Sequence, residues 1–350
     1  MAKSKSNVEE VPVEADDKVV FAEFEAPIKD WFSTGCTVLD LAISNSTKGG
    51  IPMGRIIEIQ GNPSTCKTVL GMTILGATQR KGGIAFFCDV ENTFHSEFHA
   101  KYGVEISNAD TFRLGFWDSE DKLSPQTIEE LFDVYIASIL ELNDERPKVV
   151  VIDSLSALTT NVEEADKLGD GTYGTSRAKM MSAALRKYNP IKLSKANTTL
   201  IFLNQVRDNI SGYGKKQVTS GGKALSFYAS TIISLKQGSK ICNSKTDAPI
   251  GVEIDFAIEK NKAGVPFREG VFRIYFEYGL DNVWSNLNFL KKYGEGSKAQ
   301  TVRFNDVDKQ MHHMVSYVEA NGLESKLIEE VGLRWADVHK APDRKPRVWS

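Results

Sequence analysis

The 350-residue sequence lacks any apolar run near the eighteen or more residues that a membrane-spanning helix needs. Its N-terminus, MAKSKSNVEEV, also lacks the apolar stretch of a secretory signal, so we expect a cytoplasmic protein without membrane contacts. Cysteine is scarce, and CxxC spacing is absent from the four that occur (Cys36, Cys66, Cys88 and Cys242), which argues against a zinc site or a disulfide framework. The formal net charge of −3 provides no overall attraction to nucleic acid, so any such contact must come from local basic loops.

The middle of the chain alternates between apolar, β-branched segments and helical segments. The strand candidates are GRIIEIQ, GGIAFFCD, KVVVID and TTLIFLNQ, and the helical stretches between them cover about 67–81, 125–142 and 176–193. This alternation predicts an α/β fold with a mainly parallel, twisted sheet flanked by helices. After Gly222, ASTIISLKQ, GVEIDFAIEK and GVFRIYFEY follow with short loops and predict a β-rich extension of the same sheet.

Both ends of the chain differ from this pattern. Residues 1–30 are polar and acidic around a short apolar patch at 19–24, which fits either a disordered leader or an arm whose strand docks on a neighbouring subunit. Residues 286–350 show helical patterns at 307–320 and 324–331 and a basic tail, APDRKPRVWS. We therefore expect an arm over 1–30, a core over 31–285, and a small helical C-terminal domain with its tail over 286–350.

Residues 61–68, GNPSTCKT, match the phosphate-binding pattern GxxxxGK[ST] everywhere except at the second glycine, where Cys66 stands. A strand precedes the loop and a helix follows it, so backbone N–H groups and the helix dipole converge on one anion site. Lys67 would neutralise the β- and γ-phosphates of ATP, and the Thr68 hydroxyl would join the shell of Mg²⁺. The predicted nucleotide-binding loop consists of Gly61, Asn62, Pro63, Ser64, Thr65, Cys66, Lys67 and Thr68.

Two carboxylates follow neighbouring strand candidates. Asp153 ends VVVID and could hold Mg²⁺ through water, although a strand that ends in Asp is often only entering a turn. Glu91 follows GIAFFCD and could orient the attacking water, or it could be an acid that interacts with a helix dipole. The phosphate loop upstream favours the catalytic interpretation of both.

The core from about Phe32 to Trp284 resembles the bacterial RecA recombinase and its phage relatives. The resemblance extends over STGCTVLDLAI, GGIPMGRIIEIQGNPSTCKT, VVVIDSLSALT, AKMMSAALRKY, LIFLNQVR and TSGGKALSFYAS. It implies a RecA-type ATPase core and an ATP-dependent recombinase that forms a helical filament of identical subunits. Such a protein binds single-stranded DNA and homologous double-stranded DNA, exchanges their strands, and can have loader or mediator partners.

The resemblance also implies roles for single residues. Glu91 would activate water, and Gln205 would sense the γ-phosphate and transmit its presence to a DNA loop. Lys260 and Lys262 would reach the nucleotide of the adjacent subunit, which predicts hydrolysis only in an assembled filament. Phe98 matches an adenine-stacking aromatic and Phe227 a subunit contact, and both could equally be core aromatics.

Two polar, glycine-rich stretches, 162–176 and 207–222, are longer than ordinary connections and are predicted to contact DNA. Their cations, aromatic face and glycines suit phosphate and base-face contacts without reading a base code. The helix after the first loop extends the set. The predicted DNA-binding residues are Lys179, Ser182, Arg186, Arg207, Ile210, Tyr213, Lys215, Lys216, Gly221, Gly222 and Lys223.

Cys66 is the main departure from the family pattern. Some phage relatives also lack this glycine, which favours a phage origin, and we expect ATP binding to survive while turnover is slow or altered. The adjacent Lys67 could lower the pKa of the Cys66 thiol and make it oxidisable. A ring helicase is disfavoured because the lysine pair and the second loop are present, whereas a filament-forming scaffold without strand exchange stays open.

Overall fold

The protein is described by a computed structural model over residues 28–116, 124–165, 173–208, 217–219, 222–296 and 300–341. The strands are β1 Trp31–Phe32, β2 Ile51–Pro52, β3 Ile56–Gly61, β4 Ile84–Asp89, β5 Phe112–Leu114, β6 Lys148–Asp153, β7 Thr198–Asp208, β8 Gln217–Thr219, β9 Thr231–Cys242, β10 Pro249–Asn261, β11 Glu269–Tyr275, β12 Gly279–Asp281, β13 Val302–Phe304 and β14 Val307–Lys309.

The helices lie mostly between strands of the first half of the chain and cluster again near its C-terminus. They are α1 Thr37–Ser44, α2 Lys67–Arg80, α3 Ser96–Ala100, α4 Ile128–Glu130, α5 Ala137–Glu141, α6 Asn161–Ala165, α7 Tyr173–Lys187, α8 Pro190–Lys195, α9 Gly222–Tyr228, α10 Asn282–Tyr293, α11 Met311–Ala320 and α12 Glu324–Val338. A π-helical segment, Leu131–Ile136, joins α4 to α5, and a 3₁₀ turn covers Leu155–Ala157.

The main sheet runs in the order β12-β11-β10-β9-β3-β7-β6-β4-β5, with β8 paired to β7. Strands β3, β4, β5, β6 and β7 pair in parallel, β9 joins β3 in parallel, and β10 to β12 continue the sheet as antiparallel neighbours. This arrangement confirms the predicted α/β fold and its β-rich extension. Parallel strands end at a common edge, so the loops after β3, β4, β6 and β7 lie close together.

Both faces of the parallel strands are buried, as their continuous apolar sequences predict. In β6, Val149 and Val151 join one hydrophobic cluster, whereas Val150 and Ile152 join a second cluster on the opposite face. Helix α2 packs on the first face, and the helices around 128–141 and α7 pack on the second. Alternating side chains of one strand thus anchor two layers of helices.

The C-terminal elements pack against α1 and contribute to the first hydrophobic cluster. Leu287 and Leu290 of α10 and Leu327, Val331 and Trp335 of α12 are all buried there. C-terminal helices are therefore present as predicted, whereas the division into separate domains stays a prediction. In the part of the chain that the structure describes, no helix has both the length and the apolar composition of a membrane span.

Three predicted helices are wrong at their boundaries, and the one expected over 324–331 continues to Val338 as α12. The helix expected over 176–193 is divided between α7 and α8, because Asn189 accepts hydrogen bonds from the N–H groups of Ile191 and Lys192 and Pro190 begins a new helix. The helix expected over 307–320 begins only at Met311. Val307–Lys309 instead pairs with Val302–Phe304 across Asn305 and Asp306, which both have positive φ.

Candidate active site

The loop 61–68 connects β3 to α2 and has the backbone shape of an anion cradle. A Cβ atom on Gly61 would lie 2.5 Å from the Leu235 carbonyl oxygen, so a larger residue does not fit there. Ser64 and Cys66 have φ of 63° and 57°, and the left-handed conformation at Cys66 is the one that glycine adopts without strain. The missing second glycine thus leaves the backbone path intact at a conformational cost.

The Lys67 ammonium lies inside this loop. Its Nζ donates hydrogen bonds to the carbonyl oxygens of Gly61, at 3.0 Å, and Asn62, at 2.9 Å. Burial lowers the Lys67 pKa, and the negative charges of Asp153 and Glu91 oppose that shift. A phosphate would replace neutral carbonyl acceptors with charged ones and so strengthen these hydrogen bonds.

Thr68, in the first turn of α2, meets Asp153, the last residue of β6. The Thr68 hydroxyl donates to Asp153 Oδ2 at 2.5 Å, and burial raises the pKa of the Asp153 carboxyl to about 6. A buried carboxyl beside a hydroxyl offers the two oxygen ligands that Mg²⁺ commonly takes from a protein when nucleotide phosphates supply others. The residues present therefore fit a Mg²⁺–nucleotide group.

Glu91 is held at the same edge by the turn after β4. The N–H groups of Val90 and Glu91 donate to the Asp153 carbonyl at 2.8 and 3.3 Å, and Asp89 accepts from the N–H of Phe94 at 2.7 Å. The Glu91 carboxylate accepts hydrogen bonds from the Ser154 hydroxyl and, at 3.3 Å, from Gln205 Nε2. Ser154 was not predicted, although its position directly after Asp153 is a usable signal.

A cavity of about 590 Å³ opens in front of these groups. Its walls combine the phosphate loop, Glu91, Asp153 and Gln205 with an aromatic side formed by Phe98, Tyr102 and Phe276. Phe98 is 44% exposed and makes an edge-to-face contact with Tyr102, so it is not a core aromatic. No motif in the sequence pointed to Tyr102 or Phe276, or to Gln237 and Lys240, which also line the cavity.

The predicted activation of the Cys66 thiol is wrong. Burial raises the pKa of this thiol to about 11, and the nearby Lys67 charge offsets only part of that rise. The thiol packs against the hydrophobic cluster instead of facing solvent freely. It is therefore protonated at neutral pH and is a weak nucleophile.

Comparison with known proteins adds the family. The family model of the RecA N-terminal domain matches residues 20–281. The protein RecA of Thermus thermophilus is 37% identical over 275 residues, covering 77% of this chain and 74% of its own length. The protein RecA of Wolinella succinogenes is 35% identical over 335 residues, with 88% and 85% covered.

The chain belongs to the RecA family. It thereby joins proteins of DNA recombination and repair that bind DNA and ATP. The cavity lies within the part of the chain that the RecA model matches. The phage origin stays a prediction.

The predicted lysine pair, Lys260 and Lys262, does not line this cavity. Lys260 Nζ donates to the carbonyl oxygens of Ser226, at 2.6 Å, and Phe227, at 2.8 Å, at the C-terminal end of α9. Lys262 Nζ lies 6.0 Å from the centre of the Phe227 ring, which is 69% exposed. Both lysines are described by the structure, and neither lines the cavity of its own chain.

The predicted DNA-binding residues are only partly described. Lys179 and Arg186 are exposed on α7, and Arg186 Nε donates to the carbonyl of the half-buried Ser182 at 3.2 Å. Arg207 lies in β7, and Gly222 and Lys223 begin α9. The others lie outside the described residues: Ile210, Tyr213, Lys215, Lys216 and Gly221.

Proposed function

We propose that this RecA-family chain is a DNA-dependent ATPase that polymerises on single-stranded DNA, pairs it with homologous double-stranded DNA, and exchanges the strands. The observation that carries the proposal is the meeting of Glu91, Gln205, Lys67 and the Thr68–Asp153 pair at one cavity. These groups are a phosphate binder, a metal-binding pair, a water-orienting carboxylate and an amide beside it. Together they supply what phosphoryl transfer to water needs.

We assign this cavity to Mg²⁺–ATP. Residues 61–68 would hold the phosphates, Thr68 and Asp153 would hold Mg²⁺, and Phe98 would stack on adenine. A Mg²⁺ ion held by Thr68 and Asp153 would supply positive charge against the phosphates. Glu91 orients and deprotonates water, and Gln205, which already donates to Glu91 at 3.3 Å, senses the γ-phosphate.

Lys260 and Lys262 act on the nucleotide of the adjacent subunit. Neither lysine lines the cavity of its own chain, and both lie beside the exposed Phe227, which supports this assignment. A site that one subunit leaves without these cations becomes complete only when a second subunit docks head to tail. The rate of ATP hydrolysis then rises as subunits assemble into the filament.

Single-stranded DNA is bound through the two loops and α7. Lys179, Ser182 and Arg186 on α7, together with Arg207, Gly222, Lys223 and the residues Ile210, Tyr213, Lys215, Lys216 and Gly221, would contact the backbone and the base faces. Such contacts carry no code for particular bases, so sequence is read by pairing between the DNA strands.

Joint-molecule formation from homologous single and double strands with ATP tests the proposal. We expect product with the wild type, none with Lys67→Ala, and strongly reduced, more salt-sensitive product with Lys215→Ala/Lys216→Ala. Lys245→Ala, an exposed lysine in the β9–β10 turn, is the matched control and should retain full activity. Strand exchange that is indifferent to both changes would contradict the proposal, and ATP-dependent filaments without exchange would support a scaffold instead.

A further inference from the structure

A charged residue occupies the interior of the strand that leads into the phosphate loop. Glu58 lies in β3, three residues before Gly61, and its side chain is 0% exposed between Ile57 and Ile59. An apolar residue would satisfy the fold at this position, because a buried carboxylate is unfavourable unless it is hydrogen-bonded. The hydrogen bonds of Glu58 therefore indicate its role.

One oxygen of this carboxylate contacts the strand that carries Gln205. Asn204 Nδ2 donates to Glu58 Oε1 at 2.8 Å, and Asn204 is itself fully buried. In the parallel pairing of β3 with β7, Gln60 lies opposite Asn204 and Gly61 lies opposite Gln205. The hydrogen bond thus joins the two strands directly behind the cavity.

The other oxygen contacts α9, the helix that begins where the second predicted DNA loop ends. Ser226 Oγ donates to Glu58 Oε2 at 3.1 Å. The carbonyl of the same Ser226 accepts from Lys260 Nζ at 2.6 Å. Burial raises the Glu58 pKa and lowers that of Lys260, and the charge of each residue opposes the shift of the other.

We propose that Glu58 is a positioning residue that couples the nucleotide cavity to α9, and through α9 to the second DNA loop and to Lys260. The inference deepens the proposed function and rests on it. Glu58 does not line the cavity, so it acts through Asn204 and Ser226. If Gln205 moves toward a γ-phosphate, Asn204 moves with it, and a carboxylate bonded on both sides transmits that displacement to α9.

The test compares ssDNA affinity with and without a non-hydrolysable ATP analogue, using a fluorescent oligo(dT). Glu58→Met keeps the side-chain length and removes both contacts, Ser226→Ala removes only the contact to α9, and Glu58→Gln can keep both through an amide and a rotated Ser226 hydroxyl. Thr199→Val is the matched control. It removes a buried hydrogen bond from the Gly54 N–H at the opposite end of β7.

We expect Glu58→Met to bind a fluorescent ATP analogue within about threefold of the wild type without DNA, while the analogue-induced gain in DNA affinity falls about tenfold. Ser226→Ala should reduce that gain by at least about threefold, and this half-buried site keeps the test valid if Glu58→Met does not fold. Glu58→Gln should restore most of the gain, and Thr199→Val should leave it unchanged even if its melting temperature falls.

Three results overturn the inference. A wild-type gain in both Glu58→Met and Ser226→Ala would refute the coupling role alone, as would a parallel loss of analogue affinity and melting temperature that Thr199→Val reproduces. A wild-type protein without any analogue-induced gain in DNA affinity would refute the proposed function, and the inference with it.

Discussion

At the scale of single residues, the loop 61–68 has a cysteine, Cys66, at a position whose left-handed backbone conformation favours glycine. Cys66 stands where the loop pattern has glycine, and its φ of 57° and ψ of 31° keep the path that a glycine would take. A residue with a Cβ atom is strained there, which ordinarily favours glycine. Substitutions of Cys66 therefore test whether backbone strain or side-chain packing has the larger effect on the free energy of unfolding.

We expect Cys66→Gly to be more stable than Cys66→Ala by about 1 kcal/mol, because glycine relieves the left-handed strain that alanine retains. Within a helix alanine is more stable than glycine, so Ala77→Gly in α2 should lower the free energy of unfolding by about 1 kcal/mol. Urea denaturation of the three variants measures both effects. A Cys66→Ala protein at least as stable as Cys66→Gly would show that the strain is negligible.

At the scale of elements, the caps decide where helices begin. The apolar periodicity between 176 and 193 is compatible with one long helix, but the chain divides there into α7 and α8. The Asn189 side chain bonds two N–H groups of the new helix, and Pro190 supplies a fixed φ at its first turn. α8 then leads directly into β7, the strand that carries Gln205.

Asn189→Ala should lower the free energy of unfolding by about 1 kcal/mol, because two backbone N–H groups lose their acceptor. Lys195→Ala changes an exposed residue of the same short helix and should lower the free energy of unfolding by only about 0.3 kcal/mol. Urea denaturation followed by circular dichroism compares the two. Equal stabilities would mean that the Asn189 cap does not fix the start of α8.

At the scale of the whole molecule, the proposed active site is divided between two regions of the chain. The cavity gathers the ends of β3, β4, β6 and β7, whereas Lys260 and Lys262 lie beyond β9 beside the exposed Phe227. A head-to-tail contact would bring the lysines of one subunit to the cavity of the next. Catalysis would then depend on the junctions between subunits.

Mixed filaments test this division. Lys67→Ala and Lys260→Ala/Lys262→Ala should each be inactive alone, but a 1:1 mixture should recover about a quarter of the wild-type ATPase rate, because about one junction in four combines an intact cavity with intact lysines. The measurement is the DNA-stimulated ATPase rate of the mixture against the sum of the separate proteins. A mixture no faster than that sum would place the lysines in their own subunit's site or outside catalysis.

Local patterns were enough to predict much of the fold. Short sequence patterns predict the apolar strands, the loop at 61–68, and the positions of Glu91 and Asp153 at the ends of strands. The parallel sheet follows because strands that are apolar on both faces must be covered on both faces. Residues 307–309 were predicted to be the start of a helix because their apolar spacing continues into α11. Positive φ at Asn305 and Asp306 instead reverses the chain, so that 307–309 pairs with 302–304.

The sequence by itself determined which chemical groups the protein carries, in what order, and the layered sheet that holds them. Only the tertiary structure decided which of these groups meet. Ser154 and Gln205 donate hydrogen bonds to Glu91, Asn204 and Ser226 donate to the buried Glu58, and Lys260 donates to a carbonyl near the end of α9. It also decided that the Cys66 thiol is not activated, because burial outweighs the neighbouring charge. Contacts between distant segments and the loss of water around a group depend on packing, which no local pattern encodes.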